Sequence, residues 1–509
     1  MSHELVQIAL APPSDRSQAM AEWLGDYARR RIHSRLIDER RCIPPYVALD
    51  FGNRGLLGMQ VPAEQGGLLG FDHQEYFWTL RQLGAIDFTL AAFVGLNNCL
   101  GVRPILRFGN PAMRERYLPA LARGRILGSF AVTEACAGSN PAGIAAVAQR
   151  QAQGFVLSGE KWWSGSAQWS GVINVVACHH DDAGRHCGFV ALCVDGDQPG
   201  LRHGEEALTL GLRGMVQNQV HFDSAEIGAD RVLGSPYAGM SVAADTMTYG
   251  RLAIAAVSSG TIWRLLQLMV RYTGRRRVGN SLLYGNDHVQ AVMLEHWRAA
   301  SALDLLVRRI AVVLDGGASL PTEVYAAAKL VATELLWAAA DSAMQLLGGR
   351  AYCENNPVAQ IWRDARVTRI FEGPSEVIAT YLGQQSLRRE SPLLQHLQAL
   401  DTGQASKLQA ICDSCQSTDA KSSASNLISL GYATAWTLLA VYVQNVPELV
   451  GWVAVKRATV AERLLEHTTR TLPDADSLSE LIAKQIGLIR LDRAGEQVDL
   501  DPYFYDRFP

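Results

Sequence analysis

Glu372 has the plainest capacity for chemistry in this chain. It stands between the apolar pair Ile370-Phe371 and the turn pair Gly373-Pro374. A carboxylate set against apolar walls has its charged form disfavoured, so its pKa rises toward neutrality, as a general base requires. Glycine beside it lets backbone approach a ligand closely. The plainer reading of the same residue is a helix-start carboxylate beside Gly-Pro. Four further segments mix polar and small residues. Thr133-Glu-Ala-Cys-Ala-Gly-Ser139-Asn140 follows a strand-like run and offers backbone N–H groups to an anionic or polar ligand, or else forms an ordinary Gly-Ser turn. In Gly159-Glu-Lys-Trp162-Trp163-Ser164-Gly165-Ser166-Ala167 the indoles can stack on a flat ring or fill a core. Gln345-x-x-Gly348-Gly349 closes a long helical pattern, and Arg363-Asp364-Ala-Arg366 runs into Phe371-Glu372-Gly373-Pro374-Ser375-Glu376.

Other clusters carry less. Cys178-His179-His180-Asp181-Asp182 with His186-Cys187 holds metal-ligand residue types, but it lies between two strand-like runs with Ala-Gly at its centre and reads as a hairpin loop. Cys412-x-x-Cys415 lacks the second pair of a zinc site, leaving a redox-active pair as its other option. No metal is expected. The basic run Arg275-Arg276-Arg277 sits in a chain of 47 Lys+Arg against 50 Asp+Glu, with net charge −3. That balance argues against nucleic acid and favours a phosphate-bearing cofactor.

The elements that must position these residues follow from periodicity. Residues 14–124 are helical in pattern, as at Ala19–Ile32 and Gln74–Leu83. Between 126 and 232 come short β-type runs: Phe130–Thr133, Phe155–Leu157, Val172–Cys178, Phe189–Val194 and Gln219–Phe222. Long helices follow at Leu252–Tyr272, Val289–Leu314 and Glu323–Leu347; the last two stop at glycine pairs, which suit a left-handed helix end. A polar stretch, Asp413–Ser425, reads as a linker to helices at Asn426–Gln444 and Pro447–His467 and a charged tail. At 509 residues, with 48% hydrophobic and 19% charged, the chain can build several cores, and general disorder is excluded. The most apolar stretch, Gly431–Val443, is shorter than the ~20 residues a membrane helix needs, so no transmembrane segment is expected. No signal or transit pattern opens the sequence, and nine scattered cysteines form no disulfide framework; the expectation is a cytoplasmic protein.

In their order, these segments resemble the acyl-CoA dehydrogenase family of flavoproteins across roughly residues 20–389. The carriers are Thr133–Asn140 (the family's Thr-Glu-x-x-Ala-Gly-Ser-Asp), Gly159–Trp163 (Gly-x-Lys-x-Trp), Gly211-Leu-Arg-Gly followed by Phe222-Asp223, Gln345-x-x-Gly-Gly, and Arg363-Asp-Ala-Arg with Glu372-Gly. The resemblance implies an α+β, mostly helical fold. Its parts would be an N-terminal helical domain (1–125), a middle β-barrel-like domain (126–235) and a C-terminal four-helix bundle (236–389). A helical extension (390–509) is loosely similar to that of the very-long-chain branch. FAD would sit between these parts and between subunits.

The activity so implied is α,β-dehydrogenation of an acyl thioester, acyl-CoA to trans-2-enoyl-CoA, with Glu372 as base and hydride transfer to flavin N5. The family's second base position falls on Gly250, beside Arg251, and is therefore empty. By motif match, Thr133, Ser139, Trp163, Ser164, Arg275, Arg276, Gln345, Gly348, Gly349, Ser375 and Glu376 would contact FAD. Ser139, Thr248, Arg251 and Gly373 would contact substrate. Gly165 replaces a common hydroxyl, Asn140 an Asp and Pro374 a Thr, while Arg275–Gly279 departs from the family's Arg-x-x-Phe-Gly, leaving the adenine side least defined. Two alternatives stay open: the same oxidation on an acyl-carrier-protein-bound group, and a non-catalytic flavoprotein assembly subunit. A flavin hydroxylase fits less well, because such relatives generally lack the carboxylate base. An electron acceptor such as an electron-transfer flavoprotein and a homodimer are expected.

Overall fold

The computed structural model describes residues 10–388, 390–416 and 424–467, together with 7 and 477. Helix starts are written locally. Ser14 and Asp72 each form a capping box, opening α1 (Asp15–Arg31) and α2 (His73–Ile86), and Asp87 caps α3 (Phe88–Leu96) by accepting from Leu90 N. From α3 the chain continues through a π-helical stretch, Asn97–Val102, into α4 (Arg103–Phe108). Two asparagines in the π stretch stitch their surroundings: Asn98 bonds Met59 N and Leu56 O, and Asn97 bonds Leu57 O and Gly128 N. That wide turn therefore ties α3 to the first strand.

Seven strands form one sheet: β1 (Leu127–Ala131), β2 (Val147–Gln151), β3 (Gly154–Gly165), β4 (Ser170–His180), β5 (His186–Asp195), β6 (Leu201–Glu206) and β7 (Gln217–Gly228). The order is β1-β4-β2-β3-β7-β6, with β5 also paired to β4. β1 and β2 run parallel to β4, and the remaining pairs are antiparallel. β4 is buried on both faces. Val172, Val176 and Cys178 pack toward helices of the first segment, whereas Ile173, Val175 and Ala177 pack into the sheet's own core. The five β-type runs lie in or across β1, β3, β4, β5 and β7; β2 and β6 were missed because Ala148 alone is buried in β2 and no residue is buried in β6, leaving no apolar alternation to read. The Cys178–Cys187 segment is the β4–β5 hairpin expected, with Gly184 at φ +78° in its turn.

Beyond the sheet stand α5 (Gly239–Thr273), α6 (Asp287–Asp315), α7 (Thr322–Leu347), α8 (Pro357–Thr368) and α9 (Ser375–Ser386). Helices α10 (Pro392–Leu400), α11 (Thr402–Gln416), α12 (Ala424–Val443) and α13 (Pro447–His467) follow. The linker reading of Asp413–Ser425 needs correction, since α11 runs through Gln416 and α12 begins at Ala424; residues 417–423 and the charged tail lie outside the described residues. Cys412 and Cys415 sit one turn apart on α11, both buried, and burial pushes the Cys412 thiol up to about 12. A thiol so held is a poor redox nucleophile.

The length argument against membrane helices also needs correction. Among the described residues, three helical runs are long and apolar enough to cross a membrane by length and composition: Phe88–Phe108, Gly239–Thr273 and Ala424–Val443. Their most apolar windows are 78%, 72% and 89% buried inside the fold, so packing against other elements accounts for their composition. The last of them, α12, crosses α9 with its backbone in contact. A Cβ on Gly431 would lie 1.8 Å from Ala379 O, and one on Gly383 would lie 2.2 Å from Leu427 O. Ser386 Oγ and Thr434 Oγ1 bond across the same crossing at 2.9 Å. Gly431→Val should therefore force the helices apart, lowering stability by about 1–3 kcal/mol or more. A reduced melting temperature, with faster limited proteolysis in the 390–467 segment, checks this.

Candidate active site

The loop between α8 and α9 carries Glu372. Its backbone is left-handed at both Glu372 (φ +54°) and Gly373 (φ +98°). For a residue with a side chain this conformation is disfavoured by about 1–3 kcal/mol, and it persists only where the surroundings over-determine it. They do so here. Arg251 Nε, on α5, donates to Glu372 O at 3.2 Å, and Lys329 Nζ, on α7, donates to Gly373 O at 2.7 Å. Glu334, also on α7, accepts from Arg369 Nε and from Ser375 Oγ, each at 2.7 Å, gripping both ends of the loop.

The carboxylate so presented lies over Gly250, where a Cβ would stand 3.8 Å from it. Gly250 also lines a partly open apolar cavity between α3 and α5, to which Phe371 adds a further wall. Small residues make that room, with Ala91, Ala92 and Gly95 on α3 and Ala253 on α5. The lining is apolar apart from the thiol of Cys99, which is bonded to Tyr76 Oη at 3.0 Å. Glu372 Oε2 is out of reach of solvent and has no hydrogen-bond partner among the described residues. Burial raises the Glu372 pKa, opposed by the charges of Arg251 and then Lys329. A buried, unbonded carboxylate oxygen at the edge of an apolar cavity is equipped to take a proton from a carbon acid.

A second wall is built around β3. The side chain of Glu134 accepts from Ala145 N, Ala146 N and the buried ammonium of Lys161, fixing the 133–146 loop against the strand. Thr133 O accepts from Trp162 N at 2.8 Å. β3 then bulges between Lys161 and Ser164, with Trp163 at φ +50° and 49% exposed while Trp162 is buried. The adjoining hydroxyls of Ser164 and Ser166 are buried without a hydrogen-bond partner among the described residues. An exposed indole beside two orphaned hydroxyls fits a flat ring with a polar edge, as a flavin has. Thr133, Trp163 and Ser164 thus share one wall, and Ser139 is exposed on its loop.

The remaining expected contacts are distributed differently. Arg251 and Gly373 adjoin Glu372, and Thr248 lies half-buried on α5 one turn before Arg251. Ser375 is buried with its hydroxyl engaged by Glu334, and Glu376 is exposed on the first turn of α9. Arg275 and Arg276 follow the far end of α5, some 35 Å from Gly250 at 1.5 Å per residue. They lead into a two-stranded hairpin, Arg277–Leu282. Gln345, Gly348 and Gly349 are exposed at the far end of α7, about 24 Å along the helix from Lys329. Both groups therefore lie at the helix ends remote from Gly250 and Lys329.

Arg363-Asp364 is a clamp rather than a ligand site. Asp364 accepts from Leu212 N at 2.6 Å and Thr89 Oγ1 at 3.2 Å, and Arg363 pairs with Asp38. Gly211 abuts α8 so closely that a Cβ would fall 2.4 Å from Arg363 O, which explains the glycine of the Gly-Leu-Arg-Gly segment. Lys329 and Glu334 escaped the sequence reading. Their signal was two ionisable residues five apart within the otherwise apolar run Val324–Leu336.

Three family descriptions match the chain in order: acyl-CoA dehydrogenase N-terminal domain over residues 14–125, middle domain over 129–225 and C-terminal domain over 237–387. The human mitochondrial short-chain specific acyl-CoA dehydrogenase is 29% identical over 388 residues, covering 76% of this chain and 93% of that protein. Butyryl-CoA dehydrogenase from Megasphaera elsdenii superposes with a TM-score of 0.70 at 25% identity, over 74% of this chain and 99% of its own. An FAD-complexed acyl-CoA dehydrogenase from Bacillus anthracis has a TM-score of 0.77 at 20% identity, over 94% of this chain and 92% of its own. This last likeness is one of fold, and it extends over α10–α13.

The clamp has a pH signature. Burial, with Asp87 and Asp38 nearby, raises the Asp364 pKa to about 7 despite the bond from Leu212. The folded state thus keeps a proton that the unfolded chain releases near pH ~4. The stabilisation is complete below that value and is lost as pH rises through about 7. Asp364→Asn, which keeps the acceptor for Leu212 N, should flatten this decline and raise the melting temperature above pH 7 relative to wild type. Thermal melts across pH 4–8 check it.

Proposed function

The chain belongs to the acyl-CoA dehydrogenase family, and from that premise we propose that it desaturates the α,β-carbon pair of an acyl thioester with Glu372 as the base. It is an oxidoreductase of CH–CH groups and its cofactor is FAD. The observation that carries the residue assignment is the unbonded Glu372 Oε2, set beside Gly250 at the wall of the apolar cavity.

In this reading the acyl chain occupies the cavity between α3 and α5, which excludes water from the reacting carbons. Glu372 Oε2 takes the α-proton, and the electron pair left at the α-carbon closes the new double bond as the β-hydrogen departs with its own pair. FAD, when bound, supplies the acceptor for that hydride. Thr133, Trp163, Ser164 and Ser166 would hold its ring. Gln345, Gly348 and Gly349, exposed at the end of α7 remote from Lys329, would reach the adenosine half bound by a second copy. We infer a homodimer, in which α12 packs across α9 of its own chain. An electron-transfer flavoprotein is the acceptor we infer for the reduced enzyme. The tether, CoA or carrier protein, is decided by comparing turnover of the two thioesters.

Titration of the yellow protein with a series of acyl thioesters should bleach the flavin, and the thioester that does so at the lowest concentration identifies the preferred chain. Glu372→Gln should retain FAD but lose reduction by about 10²–10⁴-fold; unchanged reduction would place the base elsewhere. Because the base must be ionised and burial raises its pKa, wild-type reduction should accelerate with pH through a midpoint above the ordinary carboxylate range. Gel filtration should return a dimer, and a stable tetramer would contradict that part of the reading.

A further inference from the structure

Lys329 is fully buried on α7, a position where an ammonium is strongly disfavoured unless it is bonded and paired. Its bond goes to a backbone carbonyl, Gly373 O at 2.7 Å, one residue beyond the base. Arg251 makes the matching bond to the preceding carbonyl, Glu372 O. Two cations therefore bind consecutive carbonyls of the left-handed turn, while Oε2 of Glu372 stays without a hydrogen-bond partner among the described residues. The charged groups around Lys329 are Glu372, Arg251, Glu334 and Arg369; Cys99 faces Glu372 and Tyr381 faces Arg251.

This arrangement resolves a conflict in building a buried base. A carboxylate alone in an apolar wall stays protonated and cannot act, whereas one hydrogen-bonded to a cation ionises but loses its basicity and its free lone pair. A charge held nearby, with its donor directed to a carbonyl, favours ionisation without occupying the oxygen that must receive the proton. We propose that Lys329 is the positioning residue of the base: its ammonium bonds the Gly373 carbonyl, locks the left-handed turn and favours the anionic carboxylate while leaving Oε2 open. The inference rests on the reading of Glu372 as base. Burial lowers the Lys329 pKa to about 7, so the charge bias acts below that pH and fades above it.

The test uses the FAD-loaded, full-length protein with Lys329→Gln, which keeps a neutral donor, and Lys329→Met, which keeps neither donor nor charge. Infrared difference spectra, with Glu372→Gln identifying the Glu372 carboxylic-acid band, follow its titration without any substrate. Both variants should retain FAD and shift the Glu372 midpoint upward by about one pH unit or more. At high pH, where the base is ionised in every form, flavin reduction by thioester should be near wild type in Lys329→Gln and at least tenfold slower in Lys329→Met. Lys329→Gln decides alone if Lys329→Met does not fold. A Glu372 midpoint unchanged in Lys329→Gln would overturn the proposal. Failure of wild-type bleaching by every thioester would instead overturn the proposed reaction, and the infrared titration separates the two results.

Discussion

A peptide turn in a left-handed conformation, held by its carbonyl oxygens, is the constraint on which the site depends. Glu372 and Gly373 adopt positive φ because Arg251 and Lys329 bind the carbonyls of those two residues and Glu334 ties down Arg369 and Ser375 on either side. Three side chains from two helices, making four hydrogen bonds, thus determine the direction of one carboxylate. Had the cations bonded the carboxylate itself, the same charges would have made it a weaker base. Gly250 completes the arrangement by leaving the space beside the carboxylate open to the cavity.

Each part of the chain is recruited to keep that geometry. The π turn at Asn97–Val102 joins α3, one wall of the cavity, to the loop at 56–59 and to β1. Arg363-Asp364 binds Gly211-Leu212 of the β6–β7 connection and Asp38 of the first segment to α8, just before the loop that carries Glu372. The arginine and aspartate of that segment are outside the cavity lining and bind Asp38, Thr89 and Leu212 instead, so their chemistry is expressed in docking.

Beyond α9, helices α10–α13 lie on the bundle through backbone-close glycine crossings and polar bonds such as Arg309 to Tyr442 O and Trp452 to Glu295. This seating explains why Ala424–Val443 carries a composition that would suit lipid. A helix buried on most of its surface has the same need for apolar side chains whether its neighbours are helices or hydrocarbon.

Much of this protein was legible along the chain. Alternation and helical period located the long helices and five of the seven strands, because those patterns are set by burial on one face. The motifs around Thr133, Trp163 and Glu372 marked the two walls, since each combines glycine or hydroxyls with a residue able to meet a ligand. Local sequence could not show that Lys329 and Glu334 reach the Glu372 loop, that Ser375 serves Glu334, or that Arg363-Asp364 joins three segments. Those contacts link residues 35 or more positions apart, as Arg369 to Glu334 and Leu212 to Asp364 do. The side-chain types were written in the sequence; the direction of a hydrogen bond, the loss of solvent around Oε2 and the shifted proton affinity arose only when packing brought distant groups together and removed water from between them.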